Sequence, residues 1–293
     1  MKINEGKEVK TEKKGISSQK GKWLLLPYQQ PEPGFNNVFS KKNAPLRDLT
    51  IGRLRLTLKD EEYTANSGNR EVILYALIGQ SEIKTKGSWG EKTLKKVGER
   101  ADLFGGPPAA VLISPNTLYK VKPISRTVDV IVASAPVNEK SKAPYIVRPQ
   151  DVEVYFIGEQ NYRREVRAVF GEGGPSKRLK VGETINLPGH WSSWPRHSFD
   201  HHPELAPKFE EVFFYFTKPR EGWALQRTKG LFCNQESIDD VWFIKNGDTA
   251  ILPLGDHPVV AGPDTTLLYV WFYLSPISKI YPKWAEDVGE YAR

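Results

Sequence analysis

The chain's five histidines, His190, His197, His201, His202 and His257, all fall between positions 190 and 257 of 293. Neutral imidazole is the commonest protein ligand for borderline divalent metals, and a carboxylate completes many such sites. Glu211 is the natural oxygen donor. It opens the apolar run Val212-Phe-Phe-Tyr-Phe, where a carboxylate turned toward the core is disfavoured unless a cation compensates it. The plainer reading has Glu210 and Glu211 capping a strand end at the surface. Cys233, the single cysteine, reads as a small buried apolar residue rather than a nucleophile. It also rules out an intramolecular disulfide, which points to the reducing cytosol.

The elements that must carry these residues read as strands. Short β-branched and aromatic runs, among them Glu71-Val-Ile-Leu-Tyr-Ala-Leu, Val128-Asp-Val-Ile-Val-Ala, Val152-Glu-Val-Tyr-Phe-Ile and Leu267-Leu-Tyr-Val-Trp-Phe-Tyr-Leu, are separated by Gly, Pro, Asn and Asp. Many short strands with turn signals and little helix favour an all-β sandwich or barrel. The length suits two modules, each able to bury its own core. A weak repeat agrees, since Glu71-Val-Ile-Leu-Tyr resembles Glu211-Val-Phe-Phe-Tyr at an offset of 140, and Val111 to Tyr119 resembles Ala250 to His257, with Pro115/Pro253 and Tyr119/His257 at an offset of 138. The first copy thus has Tyr119 where the second has His257, and it contains no histidine. The expected division is a disordered basic tail at 1–22, modules at 23–143 and 144–276, and a short C-terminal helix at 277–293.

Of the formal charge of +7, seven Lys against three Glu in residues 1–22 account for more than half. The remainder is too small and scattered to track phosphates, so a nucleic-acid partner is not expected. The longest strongly apolar stretch, Leu267 to Leu274, is far short of a membrane span, and no signal-peptide pattern opens the chain.

The segment Gly247-Asp-Thr-Ala-Ile-Leu-Pro-Leu-Gly-Asp-His257-Pro258 is a strand running into a Pro/Gly turn that delivers a histidine, and it resembles the second motif of cupin barrels. The first motif corresponds to His197 through His202 followed by Phe209-Glu210-Glu211-Val212. Further segments narrow the likeness: Gly189-His-Trp-Ser-Ser-Trp-Pro, Gly222-Trp-Ala-Leu-Gln226-Arg227, Arg100-Ala-Asp-Leu-Phe-Gly-Gly-Pro-Pro108 and Gly158-Glu-Gln-Asn-Tyr-Arg-Arg164-Glu-Val166. Over roughly residues 45–276 the chain resembles the 5-deoxy-glucuronate isomerase family of bacterial inositol catabolism. The resemblance implies a bicupin of two double-stranded β-helix (jelly-roll) barrels, with the metal site in the second only. Its metal ligands, carried over, are His197, position 199, Glu211 and His257. Position 199 is Phe, which coordinates nothing. His201 or His202 then substitutes, or the ion keeps three protein ligands and more water, or the metal is lost.

The reaction implied is aldose–ketose interconversion of 5-deoxy-D-glucuronate and 2-deoxy-5-keto-D-gluconate, assisted by a divalent transition metal, Zn or Mn. A metal polarises the carbonyl and hydroxyl oxygens, while Glu210, His201 or Tyr215 shuttles the proton. Arg227, Arg164 and Arg196 are candidates for the substrate carboxylate by bidentate geometry, with Gln226 and Trp194 beside them. The rivals are isomerisation of 5-keto-4-deoxyuronate, a metal-free bicupin that binds a sugar acid without turnover, and oxygen-dependent cleavage. A cytoplasmic protein, in a possible homo-oligomer paired through edge strands, completes the expectation.

Overall fold

A computed structural model describes residues 24–60, 62–171, 173–194, 200 and 202–274. The tail expected at 1–22 and the helix expected at 277–293 lie outside the described residues. Strands dominate, as the sequence pattern requires, and the only helical pieces among the described residues are short 3₁₀ turns such as Pro149–Asp151, Gln160–Tyr162 and Pro203–Lys208. No described helix is long and apolar enough to cross a membrane.

Four sheets form two pairs. In the first half, a six-stranded sheet runs in the order Tyr145–Val147, Ala109–Ile113, Arg70–Ile78, Thr127–Pro136, Thr50–Thr57, Gly34–Phe39. It faces a four-stranded sheet ordered Tyr63–Asn66, Leu118–Pro123, Ser81–Gly87, Gly90–Val97. The second half repeats the plan. Its larger sheet runs Leu25–Leu26, Thr249–Leu252, Glu210–Lys218, Thr266–Leu274, Leu179–Asn186, Arg164–Phe170, Glu153–Ile157. Its smaller sheet runs Trp191–Ser192, Val259–Ala261, Trp223–Leu231, Ser237–Lys245, with Leu254–Asp256 also pairing the Trp223 strand. Each larger sheet borrows an edge strand from the stretch that introduces the other half: Leu25 pairs with Ala250, and Ile146 with Val111.

The first half has a largely apolar interior, with Leu54, Leu74, Val111, Val121 and Val130 among its buried residues. The larger sheets also pack on each other through their outer faces, where Ile51, Ile73, Tyr75 and Ile131 meet Val212, Phe214, Val270 and Phe272 in one continuous core. The Tyr75 and Phe272 rings touch edge-on there, with centroids 5.9 Å apart.

A reciprocal pair of carboxylates ties the halves together. Glu71 accepts the backbone N–H groups of Lys177, Arg178 and Leu179 at 2.7–2.9 Å. Glu210 accepts those of Arg47, Asp48 and Leu49 at 2.8–3.1 Å. Each thus holds the chain just before a strand of the opposite half. Glu71 is therefore the counterpart of Glu210, not of Glu211, and the repeat offset of 140 is out of step by one residue. In a strand such a slip exchanges the two faces. In the corrected alignment Val72, which lines the first half's interior, stands where the second half has Glu211.

Candidate active site

The Glu210–Lys218 strand is buried on both faces up to its last residue. Because side chains alternate along a strand, Glu210, Val212 and Phe214 face the first half, while Glu211, Phe213 and Tyr215 face the second half's interior. The Trp223–Leu231 strand alternates too, with Ala224, Gln226 and Thr228 buried and Trp223, Leu225 and Arg227 only partly so.

His257 is delivered by a close strand approach that two glycines permit. Gly230 and Gly255 are paired across the ladder. A Cβ on Gly230 would stand 2.0 Å from the Leu254 oxygen, and one on Gly255, whose φ is +136°, would stand 2.3 Å from the Lys229 oxygen. The imidazole that follows is buried, edge-on to the Phe213 ring at 6.0 Å. Its Nδ1 lies 2.8 Å from the Gly255 carbonyl oxygen. A carbonyl only accepts, so Nδ1 carries the proton and Nε2 presents its lone pair. Nε2 lies 3.6 Å from Oε2 of Glu211, an oxygen that is buried with no hydrogen-bond partner among the described residues. Burial first, and then the negative charge of Asp200, push Glu211 well above the usual carboxylate range.

This geometry suits a cation. Two donors each about 2.1 Å from one tetrahedral ion stand about 3.4 Å apart, close to the separation seen. An ion between them would also offset the buried charge that Asp200 makes costlier. Among the described residues no group of three or more His, Cys, Asp and Glu side chains is gathered. His197, Phe199, His201 and Arg196 lie outside the described residues, so Glu211 and His257 are the described half of the expected ligand set.

The remaining sequence candidates are placed as follows. Glu210 spends its carboxylate on the three N–H groups of residues 47–49. Tyr215 is fully buried and donates its hydroxyl to Oε1 of Gln226 at 2.9 Å, and burial pushes its pKa well up, so it keeps that proton. Gln226 is turned to the backbone around His257. Arg227 lies on the outer face of its strand, ion-paired with Asp239 at 2.5 Å and donating to the Asp240 carbonyl at 3.2 Å. With Trp194, Trp191, Tyr162, Leu225 and Val241 it lines an outer cavity of about 530 Å³, on the sheet side opposite Gln226. Arg164 is buried and donates to the carbonyls of Tyr162 and Trp194, both at 3.0 Å. His190 contacts the Arg163 carbonyl at 2.8 Å, and exposed His202 lies 3.0 Å from Glu204.

Two residues escaped the sequence reading. Asp200 carries no motif, yet it is buried, and its negative charge helps to raise the Glu211 pKa. Thr228 carries no motif. It lies between Arg227, whose N–H binds the Pro258 carbonyl, and Lys229, which pairs with Asp256, and so stands across from His257. Its hydroxyl is fully buried without a partner among the described residues. Leaving such a group unsatisfied costs about 1–3 kcal/mol, so Thr228→Val, nearly the same shape, is expected to stabilise the protein by roughly 1 kcal/mol. Urea denaturation reads this directly. A lower midpoint would mean that the hydroxyl has a partner in solution.

Two jelly-roll units in tandem define a bicupin. The chain belongs to the KduI/IolB family, whose pattern it matches over residues 33–289. It is 30% identical over 263 residues, 89% of this chain and 91% of the other, to a protein of Geobacillus kaustophilus named 5-deoxy-glucuronate isomerase. A protein of the same name from Bacillus subtilis is 26% identical, covering 76% of this chain and 78% of its own. Among solved structures, an IolB-like protein from Salmonella typhimurium LT2 superposes with a TM-score of 0.75 at 23% identity, over 91% of this chain and 98% of that one. The oxalate decarboxylase of Lactobacillus farciminis shares the fold, with a TM-score of 0.57 at 10% identity over 90% of this chain and 88% of its own.

Proposed function

We propose that the chain is a cytoplasmic aldose–ketose isomerase that converts 5-deoxy-D-glucuronate to 2-deoxy-5-keto-D-gluconate in myo-inositol degradation, using a divalent metal. The observation that carries this reading is the 30% identity, over nearly the whole length of both chains, to a protein named for that activity. A Zn or Mn ion held by Glu211 and His257, together with the sequence-predicted His197 and His201, would supply Lewis acidity toward the carbonyl and hydroxyl oxygens of the sugar acid.

The chain's own groups must move a proton between adjacent carbons. Glu210 is committed to backbone N–H groups and Tyr215 to Gln226, which favours Asp200 for the shuttle, since His201 is assigned to the ion. Arg227 and Arg164 are committed to Asp239 and to carbonyls. Arg196, beside His197 in sequence, is the guanidinium that this reasoning leaves for the substrate carboxylate.

The test is turnover of 5-deoxy-D-glucuronate followed by proton NMR, before and after chelator dialysis. Chelation is expected to abolish turnover, and added Mn(II) or Zn(II) to restore it. Glu211 must give up its proton to bind a cation, and its pKa is raised, so metal affinity is expected to keep climbing as pH rises above the usual carboxylate range. Unchanged turnover by protein holding less than a tenth of an equivalent of metal would remove the metal from the reaction. Binding of the sugar acid without turnover would favour the metal-free reading that Phe199 raises.

A further inference from the structure

Gln226 is fully buried, and its side chain spans from the Glu210 strand to the turn that bears His257. Oε1 accepts the Tyr215 hydroxyl at 2.9 Å. Nε2 donates to the His257 carbonyl at 2.5 Å and reaches those of Arg227 and Pro258 at 3.0 and 3.2 Å. The carbonyls decide which way the amide points, because they only accept, and the Tyr215 hydroxyl then anchors its far end. With Tyr215 donating, the oxygen must face it, and the two N–H groups must face the carbonyls. An amide flipped end for end would set its oxygen against carbonyl oxygens.

The consequence reaches the imidazole. The His257 backbone is pinned at its carbonyl by Gln226, and its ring is pinned at Nδ1 by the Gly255 carbonyl. Two anchors on one residue leave Nε2 a narrow range of directions, toward Glu211. We propose that Tyr215 and Gln226 are positioning residues that aim Nε2 of His257 at the Glu211 carboxylate and thereby set the affinity of this pair for a divalent cation. They act through His257 rather than by touching substrate. The assignment replaces the proton-shuttle role of Tyr215 and the substrate contact of Gln226 that the sequence suggested. It rests on the metal-site reading above.

Partners that orient a metal-bound histidine typically alter metal affinity 10–100-fold when removed. The test is Zn(II) binding to the whole chain by competition with a chromophoric chelator, with the thermal midpoint of the metal-free protein recorded alongside. Tyr215→Phe removes only the hydroxyl that anchors the far end of the amide, and Gln226→Glu sets a carboxylate oxygen against the carbonyls. Tyr269→Phe is the control, since it deletes a buried hydroxyl of the same interior that is bonded instead to Ser192, at 2.9 Å. Zn(II) affinity is expected to fall about 10–100-fold in the first two variants and to stay within about twofold of wild type in the control, whatever the midpoints do. If Gln226→Glu does not fold, Tyr215→Phe decides alone. Wild-type affinity in Tyr215→Phe, or an equal loss in Tyr269→Phe, overturns the positioning role while leaving the metal site standing. A wild-type protein that binds neither Zn(II) nor Mn(II) overturns both.

Discussion

His257→Ala is expected to lower kcat for 5-deoxy-D-glucuronate about 10³-fold or more and to remove tight metal binding in the same step. The scale follows from losing electrostatic stabilisation of charge that develops in the reaction, where a single donor is already worth about 10²–10³-fold. The structure predicts that the fold survives the change. Alanine keeps the backbone carbonyl that Gln226 holds, and the Gly230–Gly255 approach precedes the side chain. What goes is the nitrogen 3.6 Å from Glu211 and the ring against Phe213. Circular dichroism should therefore stay close to wild type and the metal-free thermal midpoint should fall by only the few degrees that the buried cavity costs, while turnover and Zn(II) binding collapse together. His257→Gln, which keeps bulk and polarity, should recover little, because an amide is a poor substitute for imidazole toward borderline metals. Retained turnover in either variant would place the reaction elsewhere in the protein.

The sequence made strands, family and one end of the site legible, and lost what depends on which way a strand faces. The all-β reading rested on β-branched and aromatic runs bounded by Gly and Pro, and the jelly-roll sheets are built from those runs. His257 was found because Gly255 and Pro258 mark a turn whose backbone geometry glycine alone adopts comfortably. Face assignment failed where strands are buried on both sides. Val212-Phe-Phe-Tyr-Phe has no polar member to reveal its alternation, so Glu71 was matched to Glu211 when the pairing by role is with Glu210. Gln226 and Arg227 were both pointed at substrate although they are neighbours on a strand with one buried and one partly exposed face. Adjacent strand residues face opposite sides, so the guanidinium went to the outer face with Asp239 and the amide went to His257. Asp200 and Thr228 had no signal in a single sequence, since their part in the site comes from burial and from partners distant along the chain.

Glu183→Ala is expected to be the most destabilising single substitution outside the site, by about 3–5 kcal/mol. Glu183 is fully buried in the second half's larger sheet. Its carboxylate accepts the Tyr75 hydroxyl at 2.5 Å, Arg100 at 2.8 Å and Arg167 at 2.8 Å, joining both halves at one point. Burial, and then the Glu183 charge, push the Tyr75 pKa well up, so its hydroxyl remains a donor. Two buried guanidiniums share one carboxylate, and each also leans on carbonyl oxygens, with Gly106 O accepting from both at 2.7 and 3.2 Å. Removing the carboxylate leaves Arg100 without a counter-ion in a region from which water is excluded, while Arg167 keeps Glu165 at 2.6 Å, and the loss costs more than the pairing itself is worth. At about 2 °C per kcal/mol for a protein of this size, the thermal midpoint should drop roughly 6–10 °C. A triple variant, Glu183→Leu with Arg100→Met and Arg167→Met, separates the two terms: it removes the charges together and should recover most of the loss, because desolvation rather than attraction dominates a buried network. If the triple variant were less stable than Glu183→Ala alone, the network would instead be a net source of stability, and the arginine contacts to Gly106 and Leu103 would carry it.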